Sequence, residues 1–279
     1  MALNRALVGK DYSDTFDVTE ESISRYARAT DDPNRHYVGT GDIVASPVWP
    51  VVPAFGLFMA AAKDPELGAD FLRLVHAGED HRLLAPIRPG DRLHVVATLG
   101  SVEETEAGET FTVRATETNQ DGVAVAEVAG AMVIRGAARR VRRPPPAQRE
   151  PRAVVLEAVS RVSEDQACRY AKASGDHNPI HLDEDVARAA RLPGVILHGM
   201  CTMALAGKAA VDGLAAGDPT RVQQIGVRFN KPVFLGQTLT TRFWEEAEDD
   251  SGTTYGFATF QSAGAVVLSD GRVVVHSAR

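Results

Sequence analysis

The sequence predicts an α+β fold made of two copies of one unit, and two observations carry that prediction. Three pairs of segments match in the same order, at offsets of 144, 145 and 146 residues: 24–34 with 168–178, 53–63 with 198–208, and 86–90 with 232–236. Each copy also repeats one order of elements, in which a strand and two helices precede four alternating segments. The second helix is rich in small residues, which lets an antiparallel sheet wrap closely around it.

The first copy opens with a short strand, an amphipathic helix and a small apolar helix. Four segments that alternate apolar and polar residues follow, as is typical of half-buried antiparallel strands. The predicted bounds are 13–18 for the first strand, 20–30 and 54–63 for the helices, and 71–83, 91–103, 109–119 and 123–135 for the long strands.

The second copy repeats this order, with a strand-like run at 153–159 and an amphipathic helix at 163–174. Ser163 is placed to cap that helix, with Glu164 and Asp165 in its first turn. A polar loop containing a short helix follows. The remaining predicted elements are an apolar helix at 199–211 and strands at 221–229, 237–248, 253–261 and 265–276, the last with an Asp-Gly step that can bend it.

A basic, proline-rich segment joins the copies. Residues 135–152, "RGAARRVRRPPPAQREPR", hold seven arginines and four prolines without hydrophobic periodicity. Proline fixes φ and removes a donor, so we predict an extended, solvated linker, although contact of its charge with an anionic ligand stays open. The predicted division is a first domain at 1–136, the linker at 137–152 and a second domain at 153–279.

The composition is that of an ordinary globular protein. The chain has 279 residues, 44% hydrophobic and 24% charged, and its formal net charge of −7 argues against a nucleic-acid surface over the whole molecule. With only Cys168 and Cys201, no disulfide framework or cysteine-rich metal site is available. We find neither the apolar core of a signal peptide nor an apolar stretch near the ~20 residues of a membrane span, and we expect a cytoplasmic protein.

The segment 174–200, "SGDHNPIHLDEDVARAARLPGVILHGM", carries the candidate chemistry. In its first part, the hook (residues 174–181), Gly175 permits a sharp turn where the helix ends and Pro179 stiffens that turn. Asp176 and His181 can then converge on one small volume, with Asn178 placed to orient either of them. A carboxylate beside an imidazole is suited to moving protons near neutral pH.

Gly199 begins the apolar helix, where the first amide N–H groups have no partner inside the helix. A carbonyl oxygen docked there would be polarised, and negative charge developing on it would be stabilised. Together with Asp176 and His181, this amide completes a set of groups for adding water across a double bond conjugated to a carbonyl.

Simpler interpretations stay open. The hook can be only a helix stop, His181 only a surface or core histidine, and His198 only a structural or positioning residue. Cys201 as a thiol nucleophile is disfavoured, because no base is placed beside it. The spacing of His177, His181 and Asp183 fits no zinc pattern, so no metal site is predicted.

As a whole, "YAKASGDHNPIHLDEDVARAARLPGVILHGM" (170–200) resembles the hydratase motif of the MaoC-like, (R)-specific enoyl-CoA hydratase family, also called hydratase 2. That motif runs from an aromatic residue through Gly-Asp-x-Asn-Pro-aliphatic-His to aliphatic-His-Gly-Met at the start of a helix, and this chain matches every position. The first copy resembles the N-terminal repeat of two-domain members more loosely. The resemblance implies a double hot-dog fold, in which each of two tandem sheets wraps a central helix.

By matching position, the resemblance makes Asp176 and His181 the catalytic pair, supported by Asn178, and places the Gly199 amide on the thioester carbonyl. It implies a hydro-lyase that reversibly adds water, in syn fashion, to a trans-2-enoyl-CoA to give an (R)-3-hydroxyacyl-CoA. No metal or redox cofactor is implied, and the CoA thioester is the substrate. Where some single-domain members have a serine, this chain has Gly207, which puts one hydrogen bond or the shape of the acyl pocket in doubt.

The repeat locates the activity in one half, because the first copy lacks the imidazole and the stiffened turn. The aligned positions are Tyr37 for His181, Asp31 for Gly175, Arg35 for Pro179 and Pro53 for His198. We predict one active site per chain, in the second domain, and room for a longer acyl tail in the first.

Arg228 and Lys231, in "GVRFNKP" beside the predicted site, are candidates for pairing with the phosphates of CoA, although structural roles fit them equally. His198 is a third candidate for contact with substrate. Two rival functions stay open, a hot-dog acyl-CoA thioesterase and a non-catalytic acyl-thioester-binding subunit. The choice between an acyl-CoA and an acyl-carrier thioester also stays open, as does a homodimer.

Overall fold

In each half of the chain an antiparallel sheet wraps around one apolar helix. A computed structural model describes residues 2–105, 108–135, 152–250 and 252–277. In the first half the strands are β1 (Asp11–Asp17), β2 (Leu74–Leu83), β3 (Arg92–Thr105), β4 (Gly108–Thr118) and β5 (Ala124–Arg135), and the helices are α1 (Glu20–Ala29), α2 (Arg35–Val38) and α3 (Val51–Ala62). The second half contains strands β6 (Leu156–Arg161), β7 (Ile196–Leu197), β8 (Val222–Phe229), β9 (Val233–Phe234), β10 (Thr238–Asp249), β11 (Gly252–Gln261) and β12 (Val266–His276), and helices α4 (Gln166–Ser174), α5 (Glu184–Ala189) and α6 (Gly199–Gly213).

The two central helices, α3 and α6, are apolar on nearly all sides because the sheets enclose them. Ten of the fifteen residues of α6 are buried. Gly207 lies against the first half, since a β-carbon built on it would be 3.1 Å from a methyl carbon of Val48. A serine at this position would crowd that contact, so the glycine is explained by packing between the halves.

The two sheets join edge to edge into one ten-stranded sheet with the order β1-β3-β4-β5-β2-β8-β12-β11-β10-β6. The junction is the antiparallel pairing of β2 with β8, from Gly78 opposite Arg228 to Arg82 opposite Gln224. Helices α1 and α4 also pack together, with the rings of Tyr26 and Tyr170 5.6 Å apart. The halves therefore share one backbone hydrogen-bond network.

Most predicted elements form within a few residues of their predicted bounds, and the Asp-Gly step of β12 falls at a register shift between Ser269 and Arg272. The predicted cap of α4 is wrong. This helix begins at Gln166, with Asp165 as its N-cap residue, and the Ser163 hydroxyl donates to the Asp165 carboxylate instead of a helix amide. The linker at 137–152 lies outside the described residues apart from Arg152, and the domain boundaries stay a prediction. None of the described helices is both long and apolar enough to cross a membrane.

Candidate active site

The hook is shaped by the end of α4. Gly175 is in the left-handed region, with φ 80° and ψ 0°, as its lack of a side chain predicts. Its amide donates to the Ala171 carbonyl at 3.0 Å, and the Asp176 amide donates to the Ser174 hydroxyl at 3.2 Å. These bonds stop the helix and turn Asp176 away from its axis.

Asn178 links the two predicted catalytic side chains. Its backbone N–H donates to Oδ1 of Asp176 at 3.1 Å, and its own side-chain oxygen accepts from the Ile180 amide at 3.4 Å. The second bond caps a short 3₁₀ turn, Pro179–His181, which Pro179 begins. Asn178 therefore orients both partners, one through its backbone and the other through its side chain.

His181 is nearly buried, with 8% of its surface exposed. Its Nδ1 lies 2.9 Å from the carbonyl oxygen of Ile196 in β7. Since a carbonyl can only accept, Nδ1 carries the hydrogen and Nε2 keeps a lone pair. Burial lowers the pKa of His181, against the opposing effects of the Asp176 charge and the Ile196 bond, so the ring is a neutral base near pH 7.

His198 contacts both the ring of His181 and the backbone of Asp176. Its ring stacks on that of His181, with centroids 3.8 Å apart, and lies 4.9 Å from the ring of Tyr170. Its Nε2–H donates to the backbone carbonyl of Asp176 at 3.0 Å. Burial, together with repulsion from His181, lowers the pKa of His198 to about 3. It is thus a neutral spacer, 1% exposed, and its predicted contact with substrate stays a prediction.

Asp176, His181 and His198 each offer one atom within 4.8 Å of the others, a grouping that has the composition of a metal site. The two imidazole rings stack on each other at an interplanar angle of 28°. Both rings also bond a backbone carbonyl. The absence of a metal site stays a prediction.

Gly199 is the first residue of α6 and follows His198 directly. The Phe229 ring lies against it, since a β-carbon built on Gly199 would be 3.1 Å from Cδ1 and 3.2 Å from Cε1 of that ring. A side chain here would be in tight contact with the ring, so glycine suits the close approach of Phe229 to the first turn of α6.

Arg228 and Lys231 are exposed and flank Phe229 in the chain. Arg228 lies 4.0 Å from the Asp270 carboxylate, a contact between two half-exposed side chains that contributes little stability. Both cations are accessible to solvent, and their role in binding CoA stays a prediction.

The residues considered for a thiol nucleophile or a zinc site, other than His181, lie in different environments. Burial raises the pKa of the Cys201 thiol well above its usual range, which opposes thiolate formation. His177 is exposed, and Asp183 caps α5 by accepting from the amides of Asp185 at 2.8 Å and Val186 at 3.0 Å. Neither His177 nor Asp183 joins the cluster of Asp176, His181 and His198.

Comparison with known proteins places the chain in a family. Residues 145–263 match the model of the MaoC like domain, and residues 6–128 match that of the FAS1-like dehydratase domain region. Over 265 residues the chain is 34% identical to 3-hydroxyacyl-thioester dehydratase Y of Mycobacterium tuberculosis, covering 84% of this chain and 87% of that protein. The chain belongs to the MaoC-like dehydratase family.

Other members agree with this placement. A stretch of 99 residues is 44% identical to the peroxisomal enoyl-CoA hydratase 2 of Arabidopsis thaliana, covering 36% of this MaoC-like chain and 31% of that protein. The crystal structure of a MaoC-like dehydratase from Phytophthora capsici has the same fold, with a TM-score of 0.85 at 24% identity over 99% of this chain and 98% of that one. The predicted family and the predicted double hot-dog fold are both confirmed.

The first half of this MaoC-like chain keeps the form of the hook without its imidazole. Asp31, aligned with Gly175, also has a positive φ of 52°. Asp32 accepts from the Asn34 amide at 3.2 Å, as Asp176 does from Asn178, and burial raises its pKa to about 6. Tyr37 takes the place of His181, and its buried hydroxyl has no hydrogen-bond partner among the described residues. The backbone of the turn and its aspartate are thus retained where the imidazole is absent.

Sequence reasoning missed Phe229, which stands between the two predicted phosphate-binding cations. A single aromatic residue at the end of a strand is an ordinary core position, and no spacing rule connects it with Gly199. Only the fold brings them together.

Proposed function

We propose that this MaoC-like dehydratase reversibly adds water to a trans-2-enoyl thioester, forming an (R)-3-hydroxyacyl thioester. One observation carries the proposal: a neutral His181 with its lone pair on Nε2 lies beside the Asp176 carboxylate, and His198, which stacks on His181, directly precedes the first residue of α6. The names of the relatives, a 3-hydroxyacyl-thioester dehydratase and an enoyl-CoA hydratase, describe the two directions of one reaction.

The groups account for each proton and electron pair. A water molecule held by Asp176 and His181 gives one proton to this pair as its oxygen bonds to C3 of the substrate. The C2=C3 electron pair moves towards the thioester oxygen, where the Gly199 amide and the positive end of α6 stabilise the developing enolate. The pair then delivers a proton to C2 and is restored. The reaction is redox-neutral, so it needs no electron carrier.

Two exposed cations close to Phe229 in the sequence can bind the phosphates of a CoA thioester. A CoA molecule carries several phosphate charges, and Arg228 and Lys231 are exposed cations beside Phe229. Exposed cations of this kind attract phosphate without fixing a single geometry, so we assign them a supporting role in affinity.

The test is steady-state hydration of crotonyl-CoA and longer trans-2-enoyl-CoAs by Asp176→Asn and His181→Gln. Each variant removes a proton-transfer group, and we expect kcat to fall by about 10²- to 10⁴-fold with an unchanged melting temperature. The matched control is Asp32→Asn, the same substitution in the aligned position of the first half, which should keep wild-type turnover.

The proposal fails if both variants retain near-normal hydration, or if Asp32→Asn is as damaging as Asp176→Asn. Product chirality, measured on the hydrated thioester, must be (R). Release of free thiol from a saturated acyl-CoA would instead assign the chain to the thioesterases.

A further inference from the structure

A buried ionisable cluster lies in the first half, outside the hook. The Glu79 side chain is fully buried, and it contacts two imidazoles, His76 Nε2 at 2.7 Å and His81 Nε2 at 3.3 Å. The other nitrogen of His81, Nδ1, lies 3.2 Å from the carbonyl oxygen of Pro47. The opposing residue of β5 is Gly130, and a β-carbon there would come within 3.0 Å of the Glu79 carboxylate. The structure thus makes room for this carboxylate and satisfies both its oxygens.

A β-bulge brings the three side chains together. On a regular strand, residues 79 and 81 share a face while residue 76 points to the other side. In the pairing of β2 with β5, His76 is opposite Met132 and Gly78 is opposite Ala131, so Ala77 is an extra residue. This bulge rotates His76 onto the face of Glu79, as bulges do where a side chain must be re-aimed.

The two imidazoles favour the ionised form of Glu79. Burial raises the pKa of Glu79, but the charges and hydrogen bonds of His76 and His81 outweigh it and lower the pKa overall. The ionised Glu79 and the Pro47 carbonyl can only accept, so His81 forms both of its bonds when it carries hydrogen on both nitrogens. Hydrogen bonds from two imidazoles make the burial of the Glu79 carboxylate tolerable. His76 donates to Glu79 from Nε2.

The cluster ends at the candidate active site of the other half. His76 is the partly exposed member, with 28% of its side chain accessible, and its ring lies 4.9 Å from that of Phe229. Phe229 is the ring that lies against Gly199. A continuous chain of contacts therefore runs from Pro47 through His81, Glu79 and His76 to Phe229, and ends at the helix start where the thioester carbonyl would dock.

The cluster is present in only one of the two repeats. At the offset of 146 residues the second half has Val222, Ile225 and Val227 in place of His76, Glu79 and His81. The three ionisable residues are thus found on β2, whose His76 reaches the ring beside Gly199, and apolar residues take their places on β8. The strand of the repeat therefore forms without an ionisable cluster at these positions.

We propose that His76 and Glu79 are positioning residues for the active site of the second half, fixing the Phe229 ring against Gly199 and so the path of the substrate carbonyl to the α6 amides. This inference rests on the proposed hydratase activity. His76 acts through Phe229 in this scheme and transfers no proton.

The first test is a double-mutant cycle on the hydration of a trans-2-enoyl-CoA. We expect His76→Ala to lower kcat by about 10- to 100-fold with little change in KM, because misplacement at the reacting carbonyl costs mainly turnover. Phe229→Leu should cause a similar loss, and the double variant should be no worse than Phe229→Leu alone. Losses that multiply in the double variant would overturn the proposal, since His76 would then act independently of the ring.

The second test does not depend on activity. In protein labelled with ¹⁵N-glycine, the amide resonance of Gly199 reports the ring current of Phe229, and it should shift in His76→Ala. The matched control is His94→Ala, which removes an exposed histidine of β3 in the same half and should leave the resonance and kcat unchanged. A resonance and a kcat both unaffected by His76→Ala would refute the positioning role. A shifted resonance in a protein without hydratase activity would retain the positioning role and refute the proposed function.

Discussion

Glu117 is a carboxyl group buried without a partner, and the stability of the protein should depend on it. It occupies a core-facing position of β4, in line with the buried residues Phe111, Val113 and Ala115. None of its surface is exposed, and within the described part of the chain neither carboxyl oxygen has a hydrogen-bond partner. Burial raises the pKa of Glu117 well above 4.5. We predict that the native state holds this proton at neutral pH.

The sign of the pH effect on stability follows from how many protons the native and unfolded states bind. In the unfolded chain the carboxyl ionises near pH 4.5, whereas in the native state it stays protonated to higher pH. Above pH 4.5 the unfolded state therefore binds fewer protons, and the free energy of unfolding falls as the pH rises towards the raised pKa. The slope approaches about 1.4 kcal/mol per pH unit while the native carboxyl stays protonated. Because the unfolded carboxyl is still partly protonated at pH 5, the total between pH 5 and pH 7 is about 2.6 kcal/mol. The full stability is present only below the unfolded pKa.

The experiment is urea unfolding of the wild type and Glu117→Gln at pH 5, 6 and 7. The amide stays neutral, so the stability of the variant relative to the wild type should increase by about 2.6 kcal/mol over this range. Glu103→Gln, an exposed position on β3, should follow the wild-type curve. Parallel curves for the wild type and Glu117→Gln would show that Glu117 is paired or hydrated in the native state, and would refute the reasoning.

Three further predictions concern glycines and the rim of the site. Gly175→Ala should lower the free energy of unfolding by about 1–2 kcal/mol, because Gly175 has a positive φ. The control is Gly56→Ala in α3, a position equally free of neighbours within 4 Å, which should raise the free energy of unfolding by about 0.5–1 kcal/mol. Urea titrations in which both variants change stability in the same direction would contradict this. Gly199→Ala places a carbon 3.1 Å from the Phe229 ring and should lower kcat in the hydration assay, and a wild-type kcat would remove Gly199 from the mechanism. Arg228→Ala and Lys231→Ala should raise KM for an enoyl-CoA but not for the matching N-acetylcysteamine thioester, which lacks phosphates; equal effects on both thioesters would rule out phosphate binding.

The sequence predicts the elements of this fold better than their assembly. Alternation located the long strands because each has one buried face, and the small residues of 199–211 located α6 because a sheet must close around it. The pairing of β2 with β8 was not predictable, since no local pattern selects the partner of an edge strand. The strands β7 and β9 have two residues each, too few for any periodicity to appear.

The same limit applies to the site. Asp176, Asn178 and His181 lie within one turn, so local backbone chemistry was enough to bring them together. The ring of Phe229 reaches Gly199 only through the tertiary fold. The cluster around Glu79 depends on a bulge at Ala77. Because most residues of β2 are at least partly buried, the strand has no clear alternation of buried and exposed positions in which a bulge could be recognised.

The junction between β2 and β8 also bears on how such a protein can diverge. In a symmetric dimer of identical units, each junction strand would have to serve its own subunit and its neighbour with the same residues. Covalent fusion removes that constraint, because each strand can then change separately, and here one carries His76, Glu79 and His81 while the other ends in Phe229. Tethered subunits also cannot be separated by dilution. A half whose hook has lost the imidazole can therefore persist under selection because it permanently supports the other half.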